Sequence, residues 1–130
     1  MSTEAPTVVK GVDFVAIGTK QFDVAFDFYA NVLGLPCSSR YQKVPGAEFE
    51  TGTLTLQLIE SDSHGLEFHP NNHPIALHVD DVEAARVELS SHGIEFRVDT
   101  LDTGVCHMAF FTDPDGNALM LHHRYAPRGA

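Results

Sequence analysis

The sequence predicts an α+β fold of two tandem βαβββ modules. Three observations carry that expectation: the length, an internal repeat, and stretches of helical period set between stretches of strand period. The chain has 130 residues and a mass of 14.2 kDa, the size of one domain. Ala25 and Ala84 stand 59 residues apart, as do Gly34 and Gly93. Phe14-Val-Ala-Ile17 lies over Pro74-Ile-Ala-Leu77 at an offset of 60, and Gly52 and Gly116, each ahead of a last strand, are 64 apart. A four-stranded module covers only one face of its sheet with its helix. The other face must pack on the second module or curl around a cavity.

The elements follow in order. Residues 1–10 are polar and contain a proline, so they read as a loose arm. Val12–Ile17 reads as a buried strand. Lys20–Leu33 has the helical period, with Phe22, Phe26, Tyr29 and Leu33 on one face, and Gly34 supplies the stop. Strands are expected at about 36–42, 47–51 and 53–60; the last alternates as a half-buried strand should. Residues 61–73 are rich in turn formers and read as the connection between modules. Ile75–Val79 opens the second module. Asp80 with Glu83 then has the spacing of a capping box. Val82, Ala85 and Leu89 share a helix face, and Gly93 ends that helix. Ile94–Val98, Cys106–Thr112 and Ala118–His122 are the remaining expected strands. Asp113-Pro-Asp-Gly116 has the residue preferences of a type I turn.

Composition narrows the function classes. Hydrophobic residues are 43% and charged residues 20% of the chain, which excludes wholesale disorder. The apolar runs are too short for a membrane span. Eight basic against 18 acidic residues give a net charge of −10, so neither nucleic acid nor an anionic membrane surface is an expected partner. Two cysteines, Cys37 and Cys106, do not make a disulfide framework. The first residues lack the pattern of a secretory signal, and a cytoplasmic protein with reduced thiols is expected.

Phe14-Val-Ala-Ile17, Ala25-Phe-Asp-Phe-Tyr29 and Leu33-Gly-Leu35 resemble the first module of the vicinal oxygen chelate superfamily, the glyoxalase, bleomycin-resistance and extradiol-dioxygenase group. Ile75-Ala-Leu-His-Val-Asp-Asp81, Gly93 and Phe111-Thr-Asp-Pro-Asp-Gly-Asn117 resemble its second module. The resemblance spans about residues 11–123. It implies module one over about 11–60, a linker over about 61–73, module two over about 74–123 and a tail over 124–130. It further implies a curved, cup-shaped mixed sheet with helices outside, a site in the cup for a small organic molecule, and a homodimer. Because the superfamily holds both enzymes and binding proteins, the fold leaves the activity open.

Many members of that superfamily hold a divalent metal at four cup positions. The resemblance sets Phe14, Gln57, Pro74 and Met120 at those positions. Only Gln57 carries a donor for a hard or borderline ion, since Phe and Pro have none and a thioether is soft. Metal sites ordinarily need three or four protein ligands, so the usual site is expected to be absent and the cup floor apolar. The alternative is a metalloenzyme of the glyoxalase, epimerase or dioxygenase kind with a displaced site drawn from His73, His78, His107 and His122. A third reading is a protein that sequesters an antibiotic or toxin.

Strand alternation sets His78 on the face of Pro74, and His122 on the face of Met120. Either Cys106 or His107 joins them, depending on register. Such a cluster could hold a displaced metal, exchange protons, line a ligand cavity, or meet water or a dimer neighbour. A one-residue bulge would let His73 take the place of Pro74, while His69-Pro-Asn-Asn-His73 otherwise reads as a turn. Glu48 and Glu50 share one strand face, beside the cup or in solvent. The candidate ligand-binding cup is therefore Phe14, Gln57, His73, Pro74, His78, His107, Met120 and His122.

Overall fold

The computed structural model describes residues 8–129. Most of the proposed 1–10 arm, and the last residue of the tail, lie outside them. The first module runs β1 (Phe14–Thr19), α1 (Phe22–Asp27, continued by a π-helical turn Phe28–Val32), β2 (Cys37–Arg40), β3 (Gly46–Glu50) and β4 (Thr55–Glu60). The second runs β5 (Ile75–His78), α2 (Val82–Ser91), β6 (Leu101–Asp102), β7 (Cys106–Thr112) and β8 (Ala118–Arg124). The sheets have equivalent orders, β1-β4-β3-β2 and β5-β8-β7-β6. In each, the first strand pairs in parallel with the last and the other pairs are antiparallel. The two βαβββ modules of the sequence reading are thus present.

Each sheet buries one face. Ile17, Ala47, Phe49, Leu56 and Leu58 of the first sheet join Ala109, Phe111, Leu119 and Leu121 of the second in one hydrophobic cluster. Helix α1 lies within it. The rings of Phe26 and Tyr29 sit 5.2 and 5.9 Å from Phe49. Phe28, the neighbour of Tyr29, shares a cavity lining with Phe111 and Leu119 of the other module. Adjacent helical residues point about 100° apart, so burying both means that α1 contacts both modules. The π turn, closed by Leu33 N–H donating to the Phe28 carbonyl at 2.9 Å, ends the helix, and Gly34 follows at φ +71°.

A polar clamp joins the modules. The Tyr29 hydroxyl donates to Asp113 Oδ2 at 2.7 Å, and the Thr19 hydroxyl to Asp115 Oδ2 at 2.5 Å. Asn117 Nδ2 donates to the Gly18 carbonyl at 2.9 Å. Asp113 is only 4% exposed. It is satisfied by Tyr29, Asn117 Nδ2 and the backbone N–H groups of Asp115 and Asn117. The β7–β8 turn therefore closes its own hairpin and also holds the end of β1.

Three expectations are corrected. The cap of α2 is Asp81, which accepts from Ala84 N–H at 3.0 Å, not Asp80. Glu83 accepts from the Thr100 hydroxyl instead of closing a capping box. Ile94–Val98 alternates like a strand but forms none. Pairing to β7 is confined to Leu101 and Asp102 beside the turn at Gly104, while Ile94 and Phe96 pack on the core. Finally, β1 begins at Phe14, two residues later than expected, and β8 continues to Arg124.

Tyr29→Phe removes one donor from a buried carboxylate. It should lower unfolding stability by about 1–3 kcal/mol, read as a shifted urea midpoint at unchanged slope. An unshifted midpoint would show that the clamp does not hold the modules together.

Candidate functional site

The faces turned away from the core hold most of the candidate residues. In the first sheet, register places Phe14 beside Thr55, Ala16 beside Gln57, and Gln57 beside Glu48. All lie opposite the buried Ile17, Leu56 and Phe49. In the second sheet, Ala76, Met120 and Phe110 form one row, and His78, His122 and Met108 the next. Pro74 lies just before β5. Cys106 pairs with Arg124 and so falls on the face of His122, whereas His107 pairs with His123 on the other face.

His107 is thus set apart from His78 and His122. It lies 3.4 Å from Asp102 Oδ2, with the Tyr125 ring 4.9 Å away. Register is continuous from Ile75↔Leu119 to His78↔His122, and His73 lies ahead of the paired strand. His73 is exposed in a turn closed by Asn71, whose side chain accepts from His73 N–H and donates to its carbonyl. His69 is also exposed, 3.5 Å from Glu67.

His78 and His122 do meet, as alternation predicts. His78 is exposed, 3.4 Å from Asp80, and its ring lies 5.9 Å from that of His123. Burial holds the His122 pKa below the ordinary histidine value, assisted by the charges of His78, Arg128, His123 and Arg124. A histidine lowered in the folded state takes up its proton more readily when unfolded. Stability from this group is full above the unfolded pKa and declines as pH falls toward the folded one.

The four inherited metal positions do not form a donor set. Phe14 and Pro74 have no ligating atom, Met120 offers a thioether, and the Gln57 amide is committed on one side, Nε2 donating to the Tyr41 hydroxyl at 2.9 Å. Among the described residues no three His, Cys, Asp or Glu side chains gather where they could hold a metal ion. Within one copy, the described residues do not bring together a donor set for the group, at the usual positions or in the displaced histidine pool.

Sequence reasoning passed over Tyr41. Its ring covers Gly46, where an added Cβ would clash with it. Its hydroxyl donates to Glu48 Oε2 at 2.5 Å and accepts from Gln57. Burial and the bond to Glu48 raise the Tyr41 pKa, so it stays a neutral donor. Beside it, Glu50 accepts from Ser38 at 2.5 Å and Thr55 at 2.7 Å, bonds that lower its pKa. A tyrosine heading a hairpin over a glycine, with Glu48 in phase with Gln57, was the available signal. In the same row, at the opposite edge of this face, Phe68 and Ser61 close over Gly18.

Two cavities lie between the modules. One of about 660 Å³ is lined by Phe28, Val32, Ile94, Phe111 and Leu119, together with Pro74 of the candidate cup. A second of about 460 Å³ includes Leu35, Leu54, Ile75, Ala85 and Leu89, with His78 of the candidate cup in its lining. Neither holds Phe14 or Gln57 together with Met120 or His122. The two halves of the predicted cup are not joined by either cavity. Cys106 is buried with its sulfur 3.1 Å from the Thr103 hydroxyl, apart from His107. Among the described residues no helix is long and apolar enough to cross a membrane.

The family model described as Glyoxalase/Bleomycin resistance protein/Dioxygenase superfamily matches residues 11–121. The chain belongs to that superfamily. The protein SMU.1112c is similar in structure at 28% identity and TM-score 0.72, covering 88% of this chain and 99% of the other. TnmS3, an antibiotic binding protein from Streptomyces sp. CB03234, is similar at 21% identity and TM-score 0.76 over 90% and 98%. Lactoylglutathione lyase from Agrobacterium tumefaciens is similar at 16% and 0.76 over 88% and 93%. One is a binding protein and another an enzyme, and at these identities the superfamily fold is what is shared. A search of curated proteins gave no match.

A proton titration of the imidazoles by NMR should place His122 below the ordinary histidine midpoint. His78→Ala should move it part of the way back up, because the histidine charge contributes after burial. A His122 midpoint at the ordinary value would contradict the arrangement.

Proposed function

We propose that this superfamily member binds a small, partly apolar organic molecule on the outer sheet faces, without the superfamily's metal. The observation that carries the reading is the chemistry at the four inherited positions. Phe14, Pro74 and Met120 stand where ligands would be, and only Gln57 retains a hard donor. In place of a coordination sphere these positions give apolar contact surface, with polar groups at its sides. That is the composition of small-molecule sites.

The reading also takes the cup to be completed by a second copy. Phe14 is 51% exposed, and Val8, Val9 and Val12 ahead of it are more so. Strands β1 and β5 are edge strands in their sheets. Open edges and clustered exposed apolar side chains are features that proteins usually cover. A homodimer pairing the β1–β4 face of one copy with the β5–β8 face of the other would bring Phe14 and Gln57 opposite Met120 and His122. In this reading the protein works in the cytoplasm with both cysteines free, and its partner is the small molecule alone.

Light scattering of the eluting protein tests the assembly. A molar mass twice that of the chain is expected, and Phe14→Glu should reduce it to one chain with the far-ultraviolet spectrum unchanged. A monomeric wild-type protein at micromolar concentration would contradict the shared cup.

A further inference from the structure

On the outer face of the first sheet, two glutamates look alike in sequence and differ in structure. Glu50 has both oxygens engaged, by Ser38 and by Thr55. Glu48 has one: Oε2 accepts from Tyr41, while among the described residues Oε1 has no hydrogen-bond partner. No Lys, Arg or His among them lies within ion-pair distance of Glu48. The Gln57 amide oxygen is likewise free, since only its Nε2 is bonded. The proton of Tyr41 is committed to Glu48.

The result is a surface of acceptors with few donors. Glu48 Oε1 and Gln57 Oε1 are open, and the donors to spare beside them are the second amide hydrogen of Gln57 and the hydroxyl of Ser39, the register partner of Glu48. The Tyr41 ring is fixed over Gly46 and holds the carboxylate in place. Around this pair lie the apolar Ala16, Ile59 and Phe14, with Glu50 and Thr55 in the next row. An unpaired carboxylate beside an apolar surface rewards a ligand that brings its own cation, because charge-assisted hydrogen bonds are about twice as strong as neutral ones.

We propose that Glu48, positioned by Tyr41 and assisted by Gln57, is the anchor for a positively charged nitrogen on the ligand. The ligand class is an apolar body carrying a protonated amine or amidine. The inference rests on the preceding reading, that the outer sheet faces are the binding surface. It adds which group on that surface decides the ligand's charge. An anionic ligand would face Glu48 with only an amide hydrogen and a serine hydroxyl to compensate, and a neutral alcohol would gain a hydrogen bond without the ionic component.

The test uses the full chain, labelled with nitrogen-15, and four probes: benzylamine, benzamidine, benzyl alcohol and benzoate. The cations should shift amides around Ala16, Gln57 and Glu48 saturably below about 10 mM, the range of fragment-sized affinities. Benzyl alcohol and benzoate should bind at least about tenfold more weakly. Glu48→Gln should weaken the cations by about tenfold or more, Glu48→Asp should restore part of the loss, and Glu50→Gln, whose oxygens are already engaged, should weaken them far less. The probe series on the unaltered protein keeps the test valid if a variant folds poorly. Equal binding in Glu48→Gln, equal binding of benzoate, or no shift with either cation overturns the anchor. With probes still on this face, the binding-surface reading survives that failure. Cation shifts confined to the cavity around Phe28, Ile94 and Phe111 overturn both.

Discussion

The structure depends on a turn in one module gripping a strand and helix in the other. Asp113, Asp115 and Asn117 reach Tyr29, Thr19 and the Gly18 carbonyl. Since Asp113 and Asn117 are buried, each bond made there avoids the larger cost of an unpaired polar group in the interior. This clamp, with α1 in the shared core, fixes which sheet faces are spent on packing. What remains are the two outer faces, and the inherited site positions on Phe14, Gln57 and Met120 fall on them. In the proposed function, a few outward side chains carry the binding.

Much of the architecture was legible in the sequence, because it is written in periods and turns. The 59–60 residue repeat gave the two modules, and the helical spacing of Phe22, Phe26 and Tyr29 gave α1. Alternation correctly joined His78 to His122 and separated His122 from His123. The errors have a common physical origin. Ile94–Val98 has a strand's pattern but finds no partner, because backbone pairing is a tertiary event that alternation alone does not supply. The cap fell one residue late because Asp80 and Asp81 both offer a capping oxygen, and only backbone geometry chooses between them.

The site was less legible for a different reason. Its residues were chosen by matching positions, which identified the missing metal ligands but not what replaces them. Tyr41 has no motif, and its role follows from a glycine across a hairpin that leaves room for its ring. Glu48 and Glu50 are indistinguishable as letters, and they part only when their hydrogen bonds are counted. His107 needed the register of β7 to be separated from His122.

Metal content tests the central claim most directly. Untagged protein, purified without chelator and offered zinc, nickel, manganese, iron and copper in turn, is dialysed and its metal measured by elemental analysis. The account predicts no ion retained in proportion to protein, because Phe14, Pro74 and Met120 give no coordination sphere. One ion held per chain, lost when Gln57 and His122 are replaced by Ala, would contradict it.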